Sequence, residues 1–151
     1  GRKNPRNHQR DPENPLMPII DASSIQAALR RHGADAAQLL HAQTILDLTL
    51  YELGNIIWKE TRDPAEAETR AQALEKLLSI TKIHRITPQA LPDIARNAVK
   101  HSLTFYDAAY LTTAQTTEET LITEDHELLK AATETRLTAT TLRQHLETLR
   151  K

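Results

Sequence analysis

Cysteine is absent from the 151 residues. This excludes disulfides, thiolate zinc sites and thiol nucleophiles, and it is compatible with a reducing compartment. No apolar run approaches the roughly 20 residues of a membrane span. We therefore expect a cytoplasmic protein with no membrane partner. The opening segment GRKNPRNHQRDPENP has no apolar h-region and does not read as a secretory peptide. The three glycines form no GxxxxGK loop, so nucleotide chemistry of the P-loop kind is unsupported. His, Glu and His never fall at HExxH spacing, and the seven histidines are scattered without metal-ligand spacing. The net charge of -1 exerts no global pull on nucleic acid. Any RNA or DNA contact must then rest on a local basic patch or on metal. The scarcity of glycine and the single Met, beside abundant charged helix formers, suit a heat-stable protein.

The length and the 39% hydrophobic content fit one globular domain with a real core. Residues 1–15, polar and proline-rich, read as a flexible tail, and residues 16–151 as the domain. Apolar runs alternate with helical patterns along the chain. Strands are expected at LMPII, at TILDLT from Thr44 to Thr49, at KIHRI from Lys82 to Ile86, at LIT from Leu121 to Thr123, and at RLTAT. Between them lie helices: one opened by Ser23 or Ser24 and ended by Gly33, then DAAQLLHA, and one capped by Thr49 and running to about Glu60. DPAEAETRAQALEKLLSI is the clearest, with Asp63 as cap and Pro64 at its first position. PQALPDIARNAVKHS is expected to be irregular at Pro92. FYDAAYLTTAQ starts near Thr104, and DHELLKAAT and LRQHLETLRK follow. The strands do not alternate with polar residues, which predicts a parallel sheet covered on both faces. In such sheets ligands gather beyond the carboxyl ends of the strands, where strand order reverses.

Four acids sit in costly places. Asp21 follows the first apolar run, Glu52 lies in LTLYELGNIIWK, Asp107 in SLTFYDAAYL and Asp125 in LITEDHELL. Buried carboxylates are expensive unless paired or bound to metal. Asp21 and Asp125 come just after strands, and Glu52 and Asp107 in the first turns of helices, so all four can reach one end of the sheet. Together they repel one another, and a hard cation such as Mg²⁺ or Mn²⁺ relieves that conflict. The chemistry this predicts is metal-assisted hydrolysis at a phosphoryl centre. Each acid also has a plainer role as a helix cap or first-turn residue.

The set IIDASSI, YELGNIIWK, LTFYDAAYL and LITEDHELL resembles the PIN-domain family, most of all the small VapC-type ribonuclease toxins of prokaryotic toxin–antitoxin pairs. The resemblance spans about Met17 to Thr140. It matches Asp21 with Ala22 and Ser23 after it, Glu52 with Asn55 three residues on, Asp107 with Ser102 and Tyr106 beside it, and Thr123 with Asp125. It implies a three-layer α/β/α sandwich with a short parallel sheet of four to five strands. It also implies an acidic pocket for Mg²⁺ or Mn²⁺ and the cleavage of single-stranded or loop RNA. Asn55, Thr123 and Ser23 are then expected as supporting groups: Asn55 to orient Glu52 or Asp21, Thr123 to bond Asp21 or a water, Ser23 to meet a phosphate. Glu124 is expected to face solvent. Toxin members dimerise and are silenced by a small cognate protein, so a homodimer and an antitoxin are the expected partners. Leu50, Leu53, Ile57 and Trp58, with part of the DPAEAETRAQALEKLL helix, are the expected dimer surface. A PIN nuclease that processes RNA without being a toxin, or a PIN module that binds without cutting, are the alternatives.

Overall fold

A computed structural model describes residues 17–150; the tail expected over residues 1–15 lies outside the described residues. The strands are β1 (Ile19–Ile20), β2 (Thr44–Leu46), β3 (Lys82–His84), β4 (Leu121–Ile122) and β5 (Ala139–Thr140). All pair in parallel, in the order β3-β2-β1-β4-β5. The helices are α1 (Ala22–His32), α2 (Ala36–Leu40), α3 (Asp47–Glu60), α4 (Pro64–Leu78), α5 (Leu91–His101), α6 (Phe105–Thr117), α7 (His126–Glu134) and α8 (Leu142–Leu149).

Successive strand residues point to opposite faces, and each face meets helices. Ile19, Leu46 and Leu121 join Ile94 of α5, Ala108 and Leu111 of α6, and Leu128 of α7 in one core. Ile20, Ile45 and Ile122 join Ile25 of α1, Leu40 of α2, Leu53 of α3, Leu78 of α4 and Leu142 of α8 in the other. The result is the three-layer sandwich expected. Ile19 stands in register with Leu121, and Ile20 with Ile122. Two-residue strands can hold the centre of the sheet because both side chains of each are fully buried; truncating Ile122 to Ala would cost about 2–5 kcal/mol.

Several boundaries differ from those expected, each for a local reason. β2 ends at Leu46 and α3 begins at Asp47, because the Thr49 hydroxyl accepts the Leu46 N–H (3.1 Å). Thr49 therefore lies one turn inside the helix it was expected to cap. At α1 the cap is Asp21 rather than Ser23 or Ser24: its carboxylate accepts the Ser24 N–H (2.9 Å). Ahead of α5 the irregularity falls at a 3-10 turn, Pro88–Ala90. Pro92 itself occupies the first turn of α5, where no N–H is needed. Asp63 and Pro64 open α4 as expected, and Thr104 caps α6. The strand order reverses across β1, with β2 on one side and β4 on the other. The carboxyl ends of β1 and β4 thus open onto the crevice where an α/β sheet takes its ligands.

Candidate active site

Asp21 leaves β1 and is 4% exposed. Its Oδ1 accepts from the Ser23 hydroxyl (2.7 Å) and from the Ser24 N–H (2.9 Å). Its Oδ2 accepts from the Thr123 hydroxyl. Thr123 directly follows β4 and is fully buried; its Oγ1 in turn accepts the Asp125 N–H (3.1 Å). The two central strands are thereby joined at their carboxyl ends through one carboxylate. Asp125 caps α7, accepting the Leu128 N–H (2.9 Å). Burial raises the pKa of Asp21, and the nearby Asp107 raises it further. The Thr123 and Ser23 hydroxyls and the Ser24 amide oppose that shift by stabilising the charged form.

Glu52 approaches from α3. The Tyr110 hydroxyl of α6 donates to its Oε1 (2.7 Å). Burial raises the Glu52 pKa, Tyr110 opposes the rise, and Asp21 and Asp107 add to it. Asp107 lies in the first turn of α6, where its N–H is capped by Thr104 Oγ1 (3.1 Å). Burial, then the charge of Asp125, raises its pKa, while the Thr104 hydroxyl opposes the shift. Asp107 thus perturbs Asp21 and Glu52 and is perturbed by Asp125, so the four acids form one electrostatic neighbourhood.

Among the described residues, no three Asp, Glu or His side chains draw close enough to hold one ion between them. The donor chemistry nevertheless suits a hard cation. All four groups are carboxylates, three have pKa values raised by burial and by one another, and no thiolate or imidazole lies among them. Mg²⁺ needs only one or two protein carboxylates, with water and substrate phosphate completing its shell.

Other residues lie elsewhere than expected. Asn55 is exposed on α3 and makes no hydrogen bond to Glu52 or Asp21 among the described residues. Glu124 does not simply face solvent: its Oε1 accepts the Leu142 N–H (2.8 Å) at the start of α8 and the Ser24 hydroxyl (3.3 Å). Ser23 meets Asp21 and the Glu124 N–H (3.1 Å). Trp58, given to the dimer surface, is exposed, as are Phe105 and Tyr106, whereas Tyr110 is buried. Tyr110 and Thr49 are the site-facing residues missed in the sequence. A signal existed: Tyr110 is one helical turn beyond Asp107, and Thr49 is one turn before Glu52, so each shares a face with an acid.

The residue pattern of the PIN domain matches residues 19–134, from β1 to the end of α7. The chain belongs to the PIN-domain family. The matched span contains all four acids. Exonuclease VapC9 of Pyrobaculum aerophilum is 37% identical over 116 residues, covering 76% of this chain and 85% of that protein. Ribonuclease VapC3 of the same organism is 32% identical over 122 residues, 73% of this chain and 90% of that protein. The crystal structure of PAE2754, also from Pyrobaculum aerophilum, superposes on this PIN domain with a TM-score of 0.71 at 33% identity, covering 89% of each chain. The VapC-type kinship of the sequence motifs therefore holds across nearly the whole described fold.

Proposed function

We propose that this PIN protein is a divalent-metal-dependent endoribonuclease, the toxin of a toxin–antitoxin pair, with residues 16–151 as its nuclease domain and the cytoplasm as its location. The observation that carries the proposal is the electrostatic linkage of four acids beyond the carboxyl ends of β1 and β4: Asp107 acts on Asp21 and Glu52, and Asp125 acts on Asp107. These four are the catalytic, metal-holding residues we propose, with Ser23 and Thr123 fixing Asp21. Bound Mg²⁺ or Mn²⁺ would supply Lewis acidity at the scissile phosphate and acidity to the attacking water. Asp21 gives a carboxylate whose orientation is locked by three donors. Glu52 and Asp107 bring charge from the helix side, and Asp125 lies beside the backbone that links Thr123 to α7. No side chain acts as a covalent nucleophile, and the products carry a 5′-phosphate and a 3′-hydroxyl. Incubation of a single-stranded RNA with Mn²⁺ and either the parent or Asp107→Asn tests this. Cleavage by the parent and none by the variant is expected; intact RNA with both sinks it. A circular RNA separates internal cutting from end-dependent cutting, which matters because one relative is named an exonuclease.

Two partners belong to the same proposal. The first is a second copy of the chain. Leu53 is consumed by its own core, but Leu50 and Trp58 of α3 remain exposed. Light scattering should report about twice the 17.0 kDa chain mass, and Trp58→Glu should return it to a single chain. The second is a small cognate antitoxin. An apolar cleft of ≈ 640 Å³ lies between α1, α2, α3 and α4, lined by Leu29, Ala37, Ile56, Ile57 and Leu74, with Arg30 and Lys76 among its polar residues. None of the four acids lines it. Its apolar lining and cations suit an amphipathic segment bearing acidic side chains. Co-expression with a short reading frame adjacent to this one should suppress RNA cleavage if that frame encodes the partner.

A further inference from the structure

We propose that Tyr110 is a positioning residue for Glu52, acting through an ordered chain of hydrogen bonds that runs from the backbone of β2 to the acidic pocket. The inference rests on the metal-dependent function proposed above and names a part of it that the acid motifs do not contain.

The chain has three links. The Leu46 N–H donates to Thr49 Oγ1 (3.1 Å). Thr49 Oγ1 and the Tyr110 hydroxyl lie 2.6 Å apart. The Tyr110 hydroxyl donates to Glu52 Oε1 (2.7 Å). An ionised carboxylate only accepts, so the phenolic proton belongs to the Glu52 contact. The proton in the Thr49 contact is then the threonine's own. Every donor points the same way, toward the carboxylate. Burial and the Glu52 charge push the Tyr110 pKa up, which keeps the phenol a donor.

Packing alone does not explain this arrangement. Tyr110 is 1% exposed, and the ring of Phe would fill the same space. The hydroxyl adds a polar atom to the core, which is costly unless satisfied. Here it is satisfied twice, and one partner is a carboxylate of the pocket. Tyr110 also ties α6, which carries Asp107, to α3, which carries Glu52. Asn55, the residue expected to orient Glu52, is exposed and makes no hydrogen bond to it among the described residues. Groups that orient a metal-ligating carboxylate in this way set the metal affinity as well as the rate.

The test uses the full chain, a calorimetric titration with Mn²⁺ alone, and steady-state cleavage of a single-stranded RNA. Tyr110→Phe should weaken Mn²⁺ binding and lower kcat by roughly 10–100-fold each, with KM for RNA changed by no more than about twofold. Thr49→Val should reproduce part of both losses, and Thr49→Ser, which keeps the hydroxyl, should restore them. This second pair decides the matter if Tyr110→Phe does not fold. Mn²⁺ affinity and kcat within about twofold of the parent in both Tyr110→Phe and Thr49→Val would overturn the proposal. A parent chain that binds Mn²⁺ but leaves RNA intact defeats the nuclease function alone, and the Mn²⁺ titrations then decide the role of Tyr110. A parent chain that binds no Mn²⁺ defeats both.

Discussion

The two sides of the candidate acidic site are built differently. On the strand side, Asp21 is almost wholly buried and its carboxylate takes three hydrogen bonds, from Ser23, Ser24 and Thr123. It caps a helix, links β1 to β4 and faces the crevice at once. On the helix side, Glu52 and Asp107 are half-buried and hang from α3 and α6. Among the described residues Glu52 has one hydrogen-bond donor, Tyr110. The strand side is therefore part of the fold, and fixed dipoles offset part of the cost of its charge. The helix side is charge held near other charge with fewer dipoles to offset it. Function and stability should separate along this line: removing a donor to Asp21 on the strand side harms both, and neutralising an acid on the helix side harms function while relieving the metal-free fold.

The largest expected effect does not distinguish the sides. Asp21→Asn and Asp107→Asn should each lower RNA cleavage by roughly 10³-fold or more, since several kcal/mol of charge stabilisation is lost and each 1.36 kcal/mol is tenfold. Single-turnover assays check this. Cleavage near the parent rate in either variant would remove that acid from the site.

Next in size is the cation's effect on stability. Mn²⁺ at about 100 times its Kd should raise the unfolding free energy by about 2.7 kcal/mol by mass action. The double variant Asp21→Asn, Asp107→Asn should show no such gain in thermal melts. An equal gain in the double variant would place the ion elsewhere.

The strand side is tested by Thr123→Val. The change keeps the shape but removes the donor to Asp21 and the acceptor for the Asp125 N–H. Both groups are left short of partners in buried surroundings, so urea unfolding should show a loss of about 1–3 kcal/mol. A loss no larger than that of an exposed substitution would make the strand side as loose as the helix side and erase the comparison.

The smallest effect has the opposite sign. Asp107 has its pKa raised in the fold, by burial first and then by Asp125. A raised acid favours the fold while protonated. Its contribution is fully present below the ordinary aspartate value of 3.8 and is lost as pH rises through the raised value. At neutral pH without metal, Asp107→Asn should therefore raise the melting temperature by roughly 2–4 °C. The gain should vanish as the pH falls below the ordinary carboxylate range. Asp21→Asn should gain less, because it exchanges three charge-assisted hydrogen bonds for weaker ones. Equal gains in the two variants at neutral pH would show that hydrogen bonding does not distinguish the sides.

Much of this was legible along the chain. Apolar runs too short and too continuous to alternate announced a sheet covered on both faces, and Ile19, Ile20, Leu121 and Ile122 meet that expectation with no exposed side. Thr123 and Asp125 could be placed together because the two are adjacent to one strand end. Less legible were contacts between residues far apart in sequence. Glu124 looked like a solvent-facing neighbour of Asp125, yet it holds the first N–H of α8, 18 residues on. Asn55 shares a sequence neighbourhood with Glu52 but is exposed and makes no hydrogen bond to it among the described residues, and the group that does hold Glu52 lies 58 residues later. Helical spacing says which residues share a face; it does not say which neighbour that face will meet.

By itself, the sequence determined the class of fold, the strand-and-helix order and the four acids, because hydrophobic periodicity and the cost of a misplaced carboxylate are local properties of the chain. Only the tertiary structure decided the environment of each acid. Strand order set β4 beside β1 and so gave Asp21 the Thr123 hydroxyl. The placement of α6 beside the start of α3 gave Glu52 the Tyr110 hydroxyl. Burial and hydrogen bonding set the proton affinity of a carboxylate, and both come from residues that only folding brings near.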